Sequence, residues 1–327
     1  MRRILILILL LLTITPTHAA PAANVRVVGY FASWNGTVAN MQFDKLTHVI
    51  YAFAYPTSTG GIEPVNNAKL TELANAARAN NVKVLISFAG NGAFKSLTAQ
   101  PSTITTFVNN VAALCDQYQL DGVDIDWEHP DPANGTDVRY VDLIKALSAK
   151  LHSQNRLLTA AVMPKGYYAN AILNGVFDHV DWLNVMVYNN PWQDHASYNF
   201  AVESLNYWRD RGLPASKTVL GIPFYSYYAE GKTVMYRELV AQNPLAACSD
   251  TMDYNGVQVN YNGFRGVKAK TRLAQERGLA GVMIWHLGHD TADDTALIRA
   301  IHAQITGNTD GMLICRYAFQ PLVVTED

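Results

Sequence analysis

The run Leu120-Asp121-Gly122-Val123-Asp124-Ile125-Asp126-Trp127-Glu128 stands near the middle of a chain of 327 residues. Its β-branched and aromatic residues Val123, Ile125 and Trp127 are typical of a strand. Because side chains alternate along a strand, Asp124, Asp126 and Glu128 point to one face, each ~6.6 Å from the next. The apolar residues between them argue against a solvated surface strand. We therefore expect a buried strand whose carboxylates all lie on one face.

Similar apolar runs recur on both sides of this one, with helical stretches between them. The other runs are Val25–Phe31, Leu46–Ala54, Val82–Phe88, Leu157–Met163, Val180–Val187, Thr218–Pro223 and Leu279–Trp285. The helical stretches are Asn67–Asn80, Thr103–Tyr118, Val138–Ser153, Tyr198–Arg211, Val267–Arg277 and Thr295–Ile305. Such alternation over roughly 280 residues predicts an α/β fold, a single (β/α)₈ TIM barrel. A doubly wound sheet is the competitor, but no G-x-G-x-x-G follows the first strand.

The amino terminus has the pattern of a cleavable leader. A basic Met1-Arg2-Arg3 precedes the aliphatic run 4–12, and Thr17-His18-Ala19 offers small residues at the −3 and −1 positions. The run is shorter than the about 20 apolar residues that cross a bilayer, so a retained membrane anchor is the less favoured alternative. The expected division is a signal peptide at 1–19, one domain at 20–306 and an irregular tail at 307–327. We expect a secreted protein, extracellular or periplasmic, with no membrane partner.

The composition excludes some classes of function. Charged residues are 16% of the chain and the formal net charge is −2, which argues against a nucleic-acid partner. Hydrophobic residues are 49%, too many for a disordered chain. The 6 Trp, 17 Tyr and 11 Phe form a large aromatic content in a weakly charged protein. The composition alone does not say where in the protein these aromatic residues lie.

The cysteines and histidines predict neither a metal site nor a cofactor. Cys115, Cys248 and Cys315 allow one disulfide at most, and which pair forms stays open. No C-x-x-C or H-E-x-x-H occurs. The cluster His286-Leu287-Gly288-His289-Asp290 is expected to be a loop and helix start after a strand.

The carboxylates of the central run predict acid–base chemistry. In a barrel the active face is at the carboxyl ends of the strands, so Glu128 is expected at the mouth and Asp124 deepest. Crowded carboxylates share protons, which raises the pKa of at least one of them. A protonated carboxyl at the mouth suits a general acid, and Glu128 is the expected proton donor.

The octapeptide 121–128 resembles the D-G-x-D-x-D-x-E signature of glycoside hydrolase family 18, the chitinases and their relatives. Further matches end other strands in family order: Gly29-Tyr30-Phe31, Ser87-Phe88-Ala89-Gly90, Met186-Val187-Tyr188-Asn189, Gly221-Ile222-Pro223-Phe224-Tyr225 and Gly281-Val282-Met283-Ile284-Trp285. The resemblance covers about residues 25–305. It implies a retaining chitinase that cleaves β-1,4-linked N-acetylglucosamine polymers, with 20–306 as the catalytic domain.

The resemblance also implies a role for each catalytic residue. This family departs from the two-carboxylate scheme of most glycosidases. Glu128 would protonate the glycosidic oxygen while the substrate's own 2-acetamido carbonyl attacks, giving an oxazolinium intermediate. Asp126 would accept from the acetamido N–H, Asp124 would share a proton with Asp126, and Tyr188 would donate to the acetamido oxygen. Glu128 would then act as the base for water, with retention of the anomeric configuration.

Residues at other strand ends are candidates for substrate binding. Trp285 would be the face on which the sugar at the cleavage site stacks. The remaining candidates are Tyr30, Phe53, Ser87, Met163, Met186 and Asn189. Trp34 and Trp192 lie just beyond strand ends and are candidates for outer sugars. Packing in the barrel core is the alternative for the aromatic and methionine residues.

The sequence departs from the family pattern in three places. Ala89 replaces the first glycine of the usual S-x-G-G, and Asn189 stands where many members have Asp. About 40 residues separate Tyr225 from Gly263, too few for the large α+β insertion that many members carry between the seventh and eighth strands. The short segment predicts an open groove and internal (endo) cleavage.

Other functions stay open. One alternative is an endo-β-N-acetylglucosaminidase acting on N-glycans, against which Trp127 favours a chitinase. Another is a non-catalytic sugar-binding member, which the presence of the whole catalytic set disfavours. An enzyme that trims cell-wall glycan is a weaker alternative. The expected partner is chitin or another N-acetylglucosamine-containing polysaccharide, and we expect a monomer.

Overall fold

The computed structural model describes residues 25–190, 195–228, 231–307 and 315. The predicted leader, Trp192 and most of the predicted tail lie outside the described residues. Within the described ranges no helix is both long and apolar enough to cross a membrane.

The strands form one closed barrel and two small hairpins. They are β1 (Arg26–Ala32), β2 (His48–Ala54), β3 (Lys83–Gly90), β4 (Gly122–Trp127), β5 (Leu157–Val162), β6 (Trp182–Val185), β7 (Thr218–Pro223), β8 (Tyr225–Tyr228), β9 (Lys232–Met235), β10 (Thr251–Tyr254), β11 (Val257–Asn260) and β12 (Gly281–Trp285). The barrel order is β1-β12-β7-β6-β5-β4-β3-β2, and neighbouring strands pair in parallel. The predicted (β/α)₈ TIM barrel is confirmed.

Helices cover the outside of the barrel. They are α1 (Asn67–Ala79), α2 (Gly92–Leu97), α3 (Pro101–Tyr118), α4 (Thr136–His152), α5 (Tyr167–Asn170), α6 (Tyr198–Asp210), α7 (Tyr236–Gln242), α8 (Phe264–Glu276) and α9 (Leu297–Thr306). The long helices lie where the sequence predicts them. The sequence analysis missed α2, α5 and α7, which have 6, 4 and 7 residues, because so few turns show no helical period.

Side-chain alternation along the strands builds two apolar layers. Val123 and Ile125 of β4 belong to the large cluster between the strands and the helices. Val28, Ile50 and Leu85 belong to a second cluster inside the barrel. The acidic side chains of β4 alternate with the first set, so they point into the barrel. The fold thus brings carboxylates into an apolar interior.

The segment between β7 and β12 holds more structure than the sequence analysis recognised. The hairpins β8–β9 and β10–β11 flank α7 there, and each hairpin is antiparallel. Four-residue strands are too short for alternation to stand out against the neighbouring loops. The excursion is compact, and it agrees with the prediction that no large α+β domain stands at this point.

The structure settles the cysteine pairing that the sequence left open. Cys248 forms a disulfide with Cys315, 67 residues further along the chain. Cys115 of α3 is free and buried, and burial raises the pKa of its thiol to about 12. A thiol held protonated in this way is a packing group rather than a nucleophile.

His48, at the start of β2, links the fold to pH. It is buried, and burial with the charges of Lys83 and Arg26 lowers its pKa from 6.5 to about 3. Between these two pH values the unfolded chain binds a proton at His48 that the folded protein does not bind. The contribution of neutral His48 to the free energy of unfolding is therefore full above pH 6.5 and is lost as the pH falls towards 3. When the pH is lowered from 7 to 5, we expect the free energy of unfolding of His48→Gln to fall by about 2 kcal/mol less than that of the wild type. Denaturant unfolding at the two pH values measures this difference. Parallel pH curves would contradict this.

Candidate active site

A cavity of about 510 Å³ opens at the carboxyl ends of the barrel strands. Most of the predicted site residues line it: Glu128, Asp126, Tyr188, Trp285, Tyr30, Phe53, Met163, Met186 and Asn189. Asp124 and Ser87 are fully buried and lie outside that lining. The barrel therefore gathers residues from distant parts of the chain around one space, as the sequence analysis expected.

Asp124 lies at the centre of a buried hydrogen-bond network. The strand register places Ser87 of β3 and Thr159 of β5 directly beside it. Its Oδ2 accepts from the hydroxyls of Tyr30 and Ser87, each at 2.8 Å. Its Oδ1 accepts from Thr159 at 2.5 Å and from the Asn184 amide at 3.2 Å. Burial raises the pKa of Asp124, and these four hydrogen bonds oppose the rise.

This network changes the interpretation of two predicted substrate-binding residues. Ser87 is 0% exposed and Tyr30 is 1% exposed, and both hydroxyls are committed to Asp124. Ser87 therefore supports Asp124 from behind the cavity wall. Tyr30 also lines the cavity, and its ring meets Trp285 edge to face at a centroid distance of 5.3 Å.

Asp126 and Glu128 form a coupled pair at the cavity wall. Burial raises the pKa of Asp126 well above its usual range, with further contributions from the Glu128 and Asp124 charges and from a hydrogen bond to Glu128. Asp126 Oδ1 is buried and has no hydrogen-bond partner among the described residues. The Glu128 side chain is 48% exposed. The Glu128 carboxyl is thus about half exposed, whereas the buried Asp126 keeps an unused acceptor oxygen.

The resemblance implies a proton shared between Asp124 and Asp126. In this structure both oxygens of Asp124 accept hydrogen bonds from other residues, and Asp126 Oδ1 accepts none among the described residues. The roles of these residues in catalysis stay predictions.

Tyr188 and Asn189 follow β6, and Asn189 is held by a hydrogen-bond network that the sequence analysis did not identify. The Tyr225 hydroxyl donates to Asn189 Oδ1 at 2.6 Å. The Asn189 N–H donates to Nδ1 of His195, whose Nε2 lies 3.2 Å from the Tyr225 carbonyl oxygen. Burial lowers the pKa of His195 to about 4, so the ring is neutral and its proton is on Nε2. Burial raises the pKa of Tyr188, which keeps its hydroxyl a donor.

Aromatic rings form a continuous row from the cavity floor to the surface. Trp285 stacks on Phe53 with centroids 5.7 Å apart, and Phe53 stacks on Trp34, also at 5.7 Å. The Trp34 side is open, because this residue is 60% exposed. Stacked, partly exposed rings are suited to the apolar faces of sugars. Trp192, the other predicted outer contact, lies outside the described residues.

The cavity also contains residues that the sequence analysis did not single out. Tyr55, Asn91 and His129 line it, each a few residues beyond the end of a strand. Asn91 accepts from the indole N–H of Trp127 at 3.0 Å. His129 Nε2 lies 3.5 Å from Glu128 Oε2. Their position directly after strand ends is the signal that could have found them.

The histidine cluster after β12 carries no sign of a metal site. The His286 and His289 ring centroids are 3.6 Å apart, and His286 Nδ1 accepts from the Gly288 N–H. Across the described part of the chain, no group of three or more His, Cys, Asp or Glu side chains is placed to hold a metal ion.

The barrel mouth combines two carboxyl groups with stacked aromatic rings. The rings are suited to bind a sugar chain, and a carboxyl group is suited to protonate the oxygen between two sugars. These features define a glycoside hydrolase. The chain belongs to glycosyl hydrolases family 18, whose family model matches residues 26–290.

Known proteins similar to this chain carry chitinase-related names. A class V chitinase from Arabidopsis thaliana is 25% identical over 339 residues, covering 84% of this chain and 88% of the relative. A chitinase-like effector from Moniliophthora roreri is 27% identical over 260 residues, covering 68% of this chain and 63% of the effector. The crystal structure of the GH18 chitinase ChiB from the chitin utilization locus of Flavobacterium johnsoniae has a TM-score of 0.77 at 26% identity, covering 86% of this chain and 94% of that one.

Proposed function

We propose that the protein is a secreted retaining chitinase that cleaves internal β-1,4 linkages between N-acetylglucosamine units. The observation that carries the proposal is the unpartnered Asp126 Oδ1, buried at a cavity that also holds Glu128, Tyr188 and Trp285. A buried acceptor without a donor costs about 1–3 kcal/mol, and an acetamido N–H entering the cavity would satisfy it.

The coupled pair suggests how the proton reaches the leaving group. In the free protein burial and the neighbouring Glu128 charge raise the pKa of Asp126, which favours the protonated form of that residue. A substrate N–H donated to Asp126 favours the ionised form of that residue, so the proton moves to Glu128. Glu128, at the exposed mouth, then gives this proton to the glycosidic oxygen as the bond between that oxygen and the anomeric carbon breaks.

The substrate's own acetamido group supplies the nucleophile in this proposal. Its carbonyl oxygen bonds to the anomeric carbon, and the resulting oxazolinium carries a positive charge. Ionised Asp126 stabilises that charge, and the Tyr188 hydroxyl donates to the acetamido oxygen and so orients it. Glu128, now deprotonated, takes a proton from water as the water attacks the anomeric carbon and the bond between that carbon and the acetamido oxygen breaks. Two displacements at one carbon retain its configuration.

The compact excursion between β7 and β12 supports internal cleavage. Between β7 and α8 the described residues form two short hairpins and a 7-residue helix, too little to wall one side of the groove as a large domain would. A chain can therefore enter from the side. The endo-β-N-acetylglucosaminidase and the non-catalytic sugar-binding protein remain the alternatives.

Digestion of a chitin hexamer beside a high-mannose glycoprotein tests the proposal. We expect the wild type to cleave the hexamer at internal bonds, to release products with the β configuration and to leave the glycoprotein intact. Cleavage of the glycoprotein alone would favour the N-glycan enzyme, and cleavage of neither would favour the sugar-binding protein. Release of dimers only, from chain ends, would contradict internal cleavage.

Asn189→Asp is expected to shift the pH–rate profile without abolishing activity. An aspartate at this position adds a negative charge to the cavity that holds Asp126, and it raises the pKa of that carboxyl further. The alkaline limb of kcat/KM against pH should move up by about 0.5–1 unit. Asn190→Asp provides a control one residue further from the strand. An unchanged profile for Asn189→Asp would contradict the expected coupling.

A further inference from the structure

Next to Glu128 lies an aromatic cluster formed by His129, Tyr167 and Tyr168. The His129 ring stacks on Tyr168 with centroids 4.4 Å apart and planes 24° apart. Tyr168 meets Tyr167 edge to face at 5.3 Å. Tyr168 is 43% exposed and Tyr167 is 55% exposed. Large rings that touch one another and remain exposed are typical of a binding surface.

A hydrogen bond to Asp131 holds one ring of the aromatic cluster in place. The Tyr167 hydroxyl donates to Asp131 Oδ1 at 2.6 Å, and the Ala133 N–H donates to the same oxygen at 2.9 Å. The hydrogen bond from Tyr167 lowers the pKa of Asp131, which keeps the acceptor charged. A ring fixed in this way loses little conformational entropy when a ligand stacks on it.

The barrel order places the aromatic cluster across the mouth from the row Trp285–Phe53–Trp34. In the sequence of strands around the barrel, β4 stands opposite β12 and β5 stands opposite β1. His129 follows β4, and both tyrosines follow β5. A polymer lying over the row on one side of Glu128 therefore leaves the mouth over the aromatic cluster on the other side.

We propose that Tyr168, with His129 and Tyr167, binds the sugar unit on the leaving-group side of the bond that is cleaved. This inference rests on the proposed chitinase activity. Glu128 gives its proton to the oxygen that departs with the leaving sugar, so that sugar lies against the acid. His129 Nε2 lies 3.5 Å from Glu128 Oε2, and the Tyr168 ring stacks on the His129 ring. The ligand is a neutral N-acetylglucosamine unit that stacks on the tyrosine ring.

Two substrates separate this role from a structural one. The chitin hexamer places sugars on both sides of the cleaved bond, whereas the β-fluoride of the N-acetylglucosamine dimer has a leaving group of a single atom. We expect Tyr168→Ala to lower kcat/KM about tenfold on the hexamer and less than twofold on the fluoride. Tyr168→Trp keeps a stacking face and should stay within about threefold of wild type on the hexamer. Tyr198→Ala is the control, since Tyr198 is also 43% exposed.

The outcomes distinguish failure of the inference from failure of the proposed function. Equal losses by Tyr168→Ala on both substrates would mean that the ring only supports Glu128. No loss on the hexamer would mean that the leaving sugar binds elsewhere. Either result overturns the inference while wild-type cleavage of the hexamer upholds the chitinase. A wild type that cleaves neither substrate overturns the proposed function itself.

Discussion

Glu128→Gln is expected to lower kcat on the chitin hexamer by about 10³-fold while the hexamer still binds. Glutamine has the shape of glutamate but no acidic proton, so the glycosidic oxygen would leave unprotonated, and general acid catalysis contributes 10²–10⁴-fold. The side chain is 48% exposed, so the change should leave the fold intact. Initial rates and hexamer affinity by calorimetry measure the two parts of this expectation separately.

Glu72→Gln is the matched control for that variant. Glu72 is an exposed residue of α1, outside the cavity, and its replacement should leave kcat within twofold. A Glu128→Gln protein that keeps wild-type kcat would remove the assigned proton donor. Loss of hexamer affinity together with kcat would instead assign Glu128 to binding.

Asp124→Ala is expected to lower the free energy of unfolding by about 3 kcal/mol. The change removes the acceptor of four hydrogen bonds at a position that is 0% exposed, and it leaves the hydroxyls of Tyr30 and Thr159 among the orphaned donors. Each buried donor without a partner costs about 1–3 kcal/mol, which partial rearrangement reduces. Denaturant unfolding of the two proteins at neutral pH measures the difference.

Two further variants sharpen the Asp124 prediction. Asp124→Asn keeps one acceptor oxygen and the side-chain volume, so it should lose less stability than Asp124→Ala. Asp44→Ala is the surface control: its carboxylate is 70% exposed and pairs with the neighbouring Lys45, a contact worth about 0–1 kcal/mol. A loss below about 1 kcal/mol for Asp124→Ala would show that the buried network rearranges around the gap.

Several features follow from short-range patterns in the sequence. The alternation of acidic and apolar residues in 121–128 is enough to place Asp124 and Asp126 inside a barrel and Glu128 at its mouth. The continuous apolar runs predict the barrel strands, because a parallel strand covered on both faces has no polar side. Short elements such as α7 escape this kind of prediction, since they contain too few residues to show a period.

The sequence by itself determined the barrel, the order of its strands along the chain and the residues whose strand ends meet at one face. Only the tertiary structure decided what each of these residues touches. It turned Ser87 and Tyr30 towards Asp124, paired Cys248 with Cys315 and stacked Tyr168 on His129, the neighbour of Glu128. The physical reason is separation along the chain: these contacts join residues tens of positions apart, and such distances close only when the barrel closes.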